Sequence, residues 1–277
     1  MNCRVLVPIY KKTLTEDENL SLATIRRKLS GFGIIFIAPK SLELSEVKYE
    51  GESVEHFKDE YFYGIEGYNR LLKSCEFYQR FVSYEYILVC QLDCLVLSNE
   101  LTNWIKKGFD YIGAPWFKPK KTPEDGLWRV GNGGFSLRNV DAHLRVLRRN
   151  VIKGSAYRLK GKVRLKTKNA SRELGQYERQ QFWSRVLHPR REIISVEEEA
   201  MRFPHFEDLF WSFEAPKFDG SFKVPTPEEA LPFAFEVAPR WCYEKNNRRL
   251  PFGCHAWAKY DRYFWMETLN NLKILGA

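Results

Sequence analysis

Residues 84–97 read Y-E-Y-I-L-V-C-Q-L-D-C-L-V-L, a nearly continuous apolar run with one acid, Asp93, set inside it. A run of this length without alternation suits a strand covered on both faces, in the middle of an α/β sheet. Burying Asp93 there without a partner is unfavourable by several kcal/mol, so its carboxylate is expected to meet a metal, a cation or hydrogen-bond donors. The plainer alternative is a satisfied acid at a strand end that caps the next turn.

The flanking sequence supplies the sheet. Residues 4–10 read as a buried strand stopped by Pro8 and the polar K-K-T that follows. Thr15 with Glu18 three residues later forms a capping box, and Leu20, Leu22, Ile25 and Leu29 give a helical apolar stripe ended by Gly31-Phe32-Gly33. Residues 34–38 are a second short strand. Strand, helix and strand within forty residues predict parallel pairing and a sugar- or nucleotide-binding crevice at the carboxyl ends. A short strand at 54–57 and a helix over 67–82 then lead into the opening run. Beyond it follow a helix from 98 to 107, a strand F-D-Y-I-G-A-P-W at 109–116, and a polar loop at 117–128. The segment V-G-N-G-G-F-S-L-R, residues 130–138, has three glycines in four positions. These let the backbone approach a ligand or take positive φ, though an ordinary tight hairpin fits as well.

The later chain adds two unusual segments. H-F-E-D-L-F-W-S-F, residues 205–213, packs Glu207 and Asp208 among aromatics, and P-F-G-C-H-A-W, residues 251–257, places His255 in an apolar turn. Residues 173–186 read as a helix, 193–196 as a short strand and 260–275 as an aromatic helix.

Composition bounds the function. The 277 residues carry 44 Lys+Arg against 35 Asp+Glu, a net charge of +9, which favours anionic partners. The six cysteines are scattered without a C-x-x-C pair and read as buried thiols in a reducing compartment. No stretch approaches the ~20 apolar residues of a membrane span, and no signal peptide is apparent, so a cytoplasmic protein is expected. The most basic segment, residues 154–172, reads either as a solvated loop or as a contact for phosphates or an anionic membrane surface. It contains one aromatic residue, Tyr157, which argues against a nucleic-acid module.

Asp93, the Glu207-Asp208 pair and His255 are ionisable groups in apolar settings far apart in sequence. A carboxylate and an imidazole suit Mn²⁺ or Mg²⁺ together with phosphate oxygens, and a second carboxylate can serve as general base. Each also has a structural reading: Glu207-Asp208 as a helix N-terminus, His255 as a hydrogen-bonded core residue.

In this order, V-L-V-P-I-Y, Y-I-L-V-C-Q-L-D-C, F-D-Y-I-G-A-P-W, V-G-N-G-G-F-S-L-R, E-D-L-F-W-S and P-F-G-C-H-A-W resemble a GT-A glycosyltransferase. The likeness is greatest to a bacterial glycosyltransferase-like family catalogued as a domain of unknown function. The resemblance implies a single Rossmann-like α/β domain over 1–277 with a mostly parallel central sheet flanked by helices. Residues 1–129 would bind the nucleotide sugar and 130–277 the acceptor. It implies that Asp93 stands in the Asp-x-Asp metal motif, with Gln91 in place of the first acid, and that His255 completes the shell around Mn²⁺ or Mg²⁺. Pro8, Tyr10, Gln91, Asp93, Gly133, Gly134, Phe135 and Trp211 would contact donor or acceptor, and Lys11 or Lys12 the diphosphate. Asp208 and Glu207 would be catalytic, Asp208 as base.

The expected activity is inverting transfer from a nucleoside diphosphate, UDP in the leading case, to a glycan or lipid-linked glycan in bacterial surface polysaccharide assembly. Alternatives are a retaining transferase and a non-catalytic nucleotide-sugar or glycan-binding protein. A nucleotidyltransferase is disfavoured because P-I-Y-K-K-T lacks a glycine-rich loop. Phe206, Trp211 and Trp257 are either sugar platforms or core.

Overall fold

The computed structural model describes residues 2–44, 47, 49–118, 123, 126–154 and 191–272. The basic segment at 154–172, except Gly154, and the helix expected at 173–186 lie outside the described residues. Thirteen strands occur among the described residues: β1 Cys3–Pro8, β2 Gly33–Pro39, β3 Ser53–Phe57, β4 Tyr86–Cys90, β5 Leu95–Val96, β6 Tyr111–Ile112 and β7 Pro115–Phe117, then β8 Leu127–Val130, β9 Phe135–Asn139, β10 Asn150–Gly154, β11 Arg191–Ser195, β12 Ala234–Phe235 and β13 Gly253–Cys254.

Six of them form the central sheet in the order β3-β2-β1-β4-β9-β6. The first four run parallel, and β9 is antiparallel to both neighbours, so five strands share one direction. Because successive side chains on a strand alternate between faces, β1 feeds two cores. Val5 and Val7 pack with Leu88 and with Leu22 and Ile25 of helix α1, Glu16–Lys28. Leu6 and Ile87 pack on the other face against Leu71 of α2, Gly64–Leu71, and Phe77 and Tyr78 of α3, Cys75–Gln79. The result is an α/β fold with helices on both faces of the sheet. The Thr15 capping box that starts α1 is formed as expected.

Three elements differ from the sequence reading. The helix expected over 67–82 is two helices, because Ser74 turns its hydroxyl to accept from the Phe77 amide at 3.1 Å and restarts the helix. The run at 84–97 is two strands in two sheets. The sheet pairing of β4 closes with Gln91 N–H donating to Gly134 O at 2.8 Å. A turn in which Cys94 N–H donates to Gln91 O at 3.0 Å then sends the chain into β5. Asp93 therefore lies on a turn at the carboxyl end of β4, not within a strand. The strand expected at 109–116 splits into β6 and β7 around Gly113.

A small second sheet, β12-β13-β5, lies beyond that turn, with β13 parallel to β12 and antiparallel to β5. Among the described residues no helix is long and apolar enough to cross a membrane.

Gly113 and Gly131 bring two backbones together beneath the 131–134 turn. A Cβ on Gly113 would lie 1.7 Å from Gly131 O, and one on Gly131 would lie 1.8 Å from the Trp116 ring. Gly113→Ala is expected to lower stability by about 1–3 kcal/mol or more, as overpacking against backbone does. Its denaturation midpoint in urea measures this, with the m-value unchanged.

Candidate active site

The strand order reverses between β1 and β4, and the crevice at such a switch point is where open α/β sheets bind ligands. A cavity of about 540 Å³ lies there, within the ~300–1,000 Å³ usual for small-molecule sites. Its walls are residues 8–11 after β1, Tyr68 and Asn69 of α2, residues 91–93 after β4, Gly133 and Gly134, and Glu207 and Asp208. Tyr10, Ile65 and Phe206 stand exposed at its mouth.

The small sheet backs the Asp93 end of the cavity. In its register Cys254 pairs with Leu95 on one side and with Phe235 on the other. The next residue along β13 is His255. It therefore falls beside Glu236, just after β12, and its ring also reaches Asp93, two residues before β5. The His255 Nε2 lies 3.3 Å from Asp93 Oδ1, and Nδ1 lies 2.9 Å from Glu236 Oε1. Gln91 Oε1 lies 3.4 Å from Nε2. Two carboxylates around one ring outweigh burial and hold the His255 pKa up at about 10. Burial pushes the Asp93 pKa upward, but the contact with His255 prevails and leaves it below the usual carboxylate value.

The donor set fits a hard divalent cation. Asp93 and Gln91 offer oxygen and His255 nitrogen, and the 3.3 and 3.4 Å separations are near the ~3.0 Å edge expected for ligands ~2.1 Å from one ion. The backbone leaves room for them: a Cβ on Gly134 would lie 2.2 Å from His255 Nε2 and 2.8 Å from Gln91 Oε1. Cys94 is also within reach of Asp93 and His255. Its thiol, however, is buried and donates to Gly134 O at 3.2 Å, and burial raises its pKa well above normal. A hard cation takes oxygen and nitrogen ahead of such a soft sulfur.

At the other end, Glu207 and Asp208 begin the helical stretch that runs to Phe218. Asn69 Oδ1 accepts from the Glu207 N–H at 2.6 Å, which fixes this start against α2. The two acids have different environments. Glu207 is buried and held in a two-point ion pair by Arg138, at 2.8 and 3.0 Å, while Arg138 also donates to Tyr78 and Ser136. Asp208 is partly open to the cavity and accepts from the Asn132 N–H at 3.2 Å and the Leu209 N–H at 2.8 Å. The loss of water around it, with the Glu207 charge beside it, pushes its pKa up to about 7. That value suits a proton acceptor near neutral pH.

Asn132 joins the two ends. It adopts φ +87°, a conformation that Asn tolerates better than most residues. Its Oδ1 accepts from the Gly134 and Phe135 N–H groups at 2.9 and 3.0 Å, and its Nδ2 lies 3.0 Å from His255 Nδ1.

Residues 52–255 match the family described as "Protein of unknown function (DUF5672)". The chain belongs to this family. No curated protein matches it. Among solved structures it is similar to mouse xyloside xylosyltransferase 1 in its apo form, at 14% identity and a TM-score of 0.48, covering 92% of this chain and 97% of that one. It is similar to the galactosyltransferase LgtC in complex with donor and acceptor sugar analogues, at 11% identity and a TM-score of 0.45, covering 97% and 94%. A glycosyltransferase involved in glycosylating the major capsid of PBCV-1 is matched at 13% identity and a TM-score of 0.42, covering 92% and 93%.

Of the residues singled out in the sequence, Pro8, Tyr10, Gln91, Asp93, Gly133, Gly134, Glu207 and Asp208 line one cavity, with His255 against Asp93. Three roles need correction. Glu207 is committed to Arg138 and cannot act as a free base. Phe135 is fully buried between Phe233 and Phe252 and makes no ligand surface. Trp211 is fully buried too, donating through Nε1 to Leu72 O at 3.1 Å. Trp257 likewise donates to Ser21 and belongs to the core, whereas Phe206 is exposed at the mouth. Lys11 reaches the cavity wall and pairs with Glu18 at 2.8 Å.

Sequence reasoning missed Asn132, Arg138, Glu236 and Asn69. Arg138 and Glu236 gave the same signal as Asp93, a charge within an apolar stretch.

The two adjacent acids should respond oppositely to neutralisation. Glu207→Ala strands Arg138 without its partner, at a cost of about 3–5 kcal/mol, and should lower the Tm by on the order of 10 °C. Asp208 binds a proton in the folded state between its ordinary pKa and about 7, so wild-type stability falls as pH rises across that window. The Tm of Asp208→Asn relative to wild type should therefore increase from pH 4 to pH 7 and stay level above. Calorimetry at stepped pH reads both effects.

Proposed function

We propose that this protein is an inverting GT-A-type glycosyltransferase, using a nucleoside-diphosphate sugar, UDP-linked in the leading case, and a glycan hydroxyl. One observation carries the reading: a carboxylate with a pKa of about 7 and a hard-cation donor set open onto one cavity at the switch point of the sheet. The setting in bacterial surface polysaccharide assembly follows from the family resemblance.

Residues 8–11 and α2 form the wall for the nucleotide, at the end of the cavity where Lys11 supplies a positive charge. Gln91, Asp93 and His255 would hold Mn²⁺ or Mg²⁺, whose chemistry is Lewis-acid stabilisation of the charge building on the departing diphosphate. Asp208 takes the proton of the acceptor hydroxyl as its oxygen bonds to the anomeric carbon. The bond from that carbon to the diphosphate breaks, and its electron pair leaves with the diphosphate. Attack from the face opposite the leaving group inverts the configuration. Glu207, paired with Arg138, keeps Asp208 in place and adds the negative charge that raises its basicity. Asn132 holds base and histidine in fixed relation.

The reading is tested by thermal shift with a panel of nucleotide sugars, with and without Mn²⁺. A binding donor raises the Tm as RT ln(1 + [L]/Kd), and no shift with any nucleoside diphosphate overturns the proposal. With the donor known, NMR of the product should show the inverted anomer. Because Asp208 must be ionised, kcat/KM should rise about tenfold per pH unit below pH 7 and level off above it. Asp208→Asn should lose that limb together with about 10²–10⁴ in kcat.

A further inference from the structure

We propose that Glu236 is a positioning residue that selects the tautomer of His255 needed for cation binding. The inference rests on the metal-assisted reading above and concerns a residue that reading does not use. Register makes the contact obligatory. The strands β12 and β13 are parallel with Phe235 opposite Cys254, and His255 N–H donates to Phe235 O at 3.0 Å. The next side chains, Glu236 and His255, are thus neighbours, and both are largely shielded from water, each 16% exposed.

A ring that binds a cation has given up one proton and carries one proton and one lone pair, and only the nitrogen with the lone pair can bind the cation. Nε2 faces Asp93 Oδ1 and Gln91 Oε1, so the proton must sit on Nδ1. Two groups compete for Nδ1 at nearly equal range. Glu236 Oε1 at 2.9 Å can only accept, and so favours a proton there. Asn132 Nδ2 at 3.0 Å can only donate, since its Oδ1 is committed to the Gly134 and Phe135 amides and its orientation is fixed. Asn132 therefore favours the opposite tautomer, with the proton on Nε2 and the cation position closed. Glu236 prevails because its hydrogen bond is charge-assisted, roughly twice as strong as a neutral one. With Glu236 replaced by Ala, Asn132 is the partner that remains at Nδ1 and Nε2 becomes the protonated nitrogen, whereas Gln removes the charge that decides the contest.

Carboxylates behind metal-bound histidines typically contribute about 10–100-fold to metal affinity. The test is Mn²⁺ binding to the full chain without substrate, followed by electron paramagnetic resonance of free Mn²⁺, with His255→Ala as control. Glu236→Gln and Glu236→Ala should weaken Mn²⁺ binding by about 10–100-fold, with the Tm in EDTA close to wild type. In ¹⁵N-histidine spectra of the Mg²⁺-saturated protein, wild type should show His255 protonated at Nδ1. If wild type binds Mn²⁺ and both variants bind it equally well, Glu236 has no such role while the catalytic reading stands. A variant whose EDTA Tm drops but whose folded fraction keeps wild-type affinity also overturns the proposal, as a structural residue would behave that way. If wild type itself takes up no Mn²⁺, the metal-assisted reading falls, and this inference with it.

Discussion

Two side chains rest directly against the backbone of the Gly133-Gly134 turn, and the site depends on that approach. A Cβ on Gly133 would lie 2.2 Å from Glu207 Oε1, and one on Gly134 would lie 2.2 Å from His255 Nε2. Any larger residue would push the acid pair and the histidine apart from opposite sides of one turn. The turn is itself anchored below by the contact of Gly113 with Gly131, and above by Asn132, whose side chain satisfies two of its amides. The glycines let groups nearly the whole chain apart in sequence meet within one cavity.

Electrostatics then gives neighbouring acids separate tasks. Glu207 loses its water but gains a two-point bond to Arg138, which fixes it structurally. Asp208, one residue on, has two backbone donors but no cation, so burial and the Glu207 charge favour its protonated form. Two neighbouring carboxylates in different surroundings are a common basis for assigning structural and chemical roles. Burial of Glu207 with Arg138 costs conformational freedom and desolvation, offset here by four hydrogen bonds from the guanidinium.

Much of this was legible in the sequence where one local rule dominated. The capping box at Thr15, the buried strand at 4–10 and the strand–helix–strand order all report local physics, and they placed the crevice at the carboxyl ends of the strands. The run at 84–97 was misread as one strand because apolar content cannot show where a chain leaves one sheet for another. That change is decided by the pairing of Leu95 with Cys254, more than 150 residues away. Phe135 and Trp211 lay in the right segments, but which side of a segment faces the cavity depends on neighbours such as Phe252 and Leu72. Glu236 was hidden because its meaning comes only from lying next to His255 across the short β12–β13 pair.

That placement bears on the half-filled acid motif at Q-L-D. A neutral Gln91 beside Asp93 leaves the proposed cation position with one anionic ligand where the Asp-x-Asp motif it resembles has two, which would lower its attraction for a divalent ion. Glu236 restores the missing charge from behind the ring: it polarises His255 through Nδ1 and makes Nε2 a stronger donor toward the same point. The second carboxylate of the site is therefore moved outward, from direct ligand to the partner of a ligand. Such a shell would bind an ion through a more polarisable nitrogen and fewer charged oxygens. Because Mg²⁺ demands oxygen ligands and gives up water reluctantly, a site with an imidazole ligand should hold Mn²⁺ more tightly than Mg²⁺.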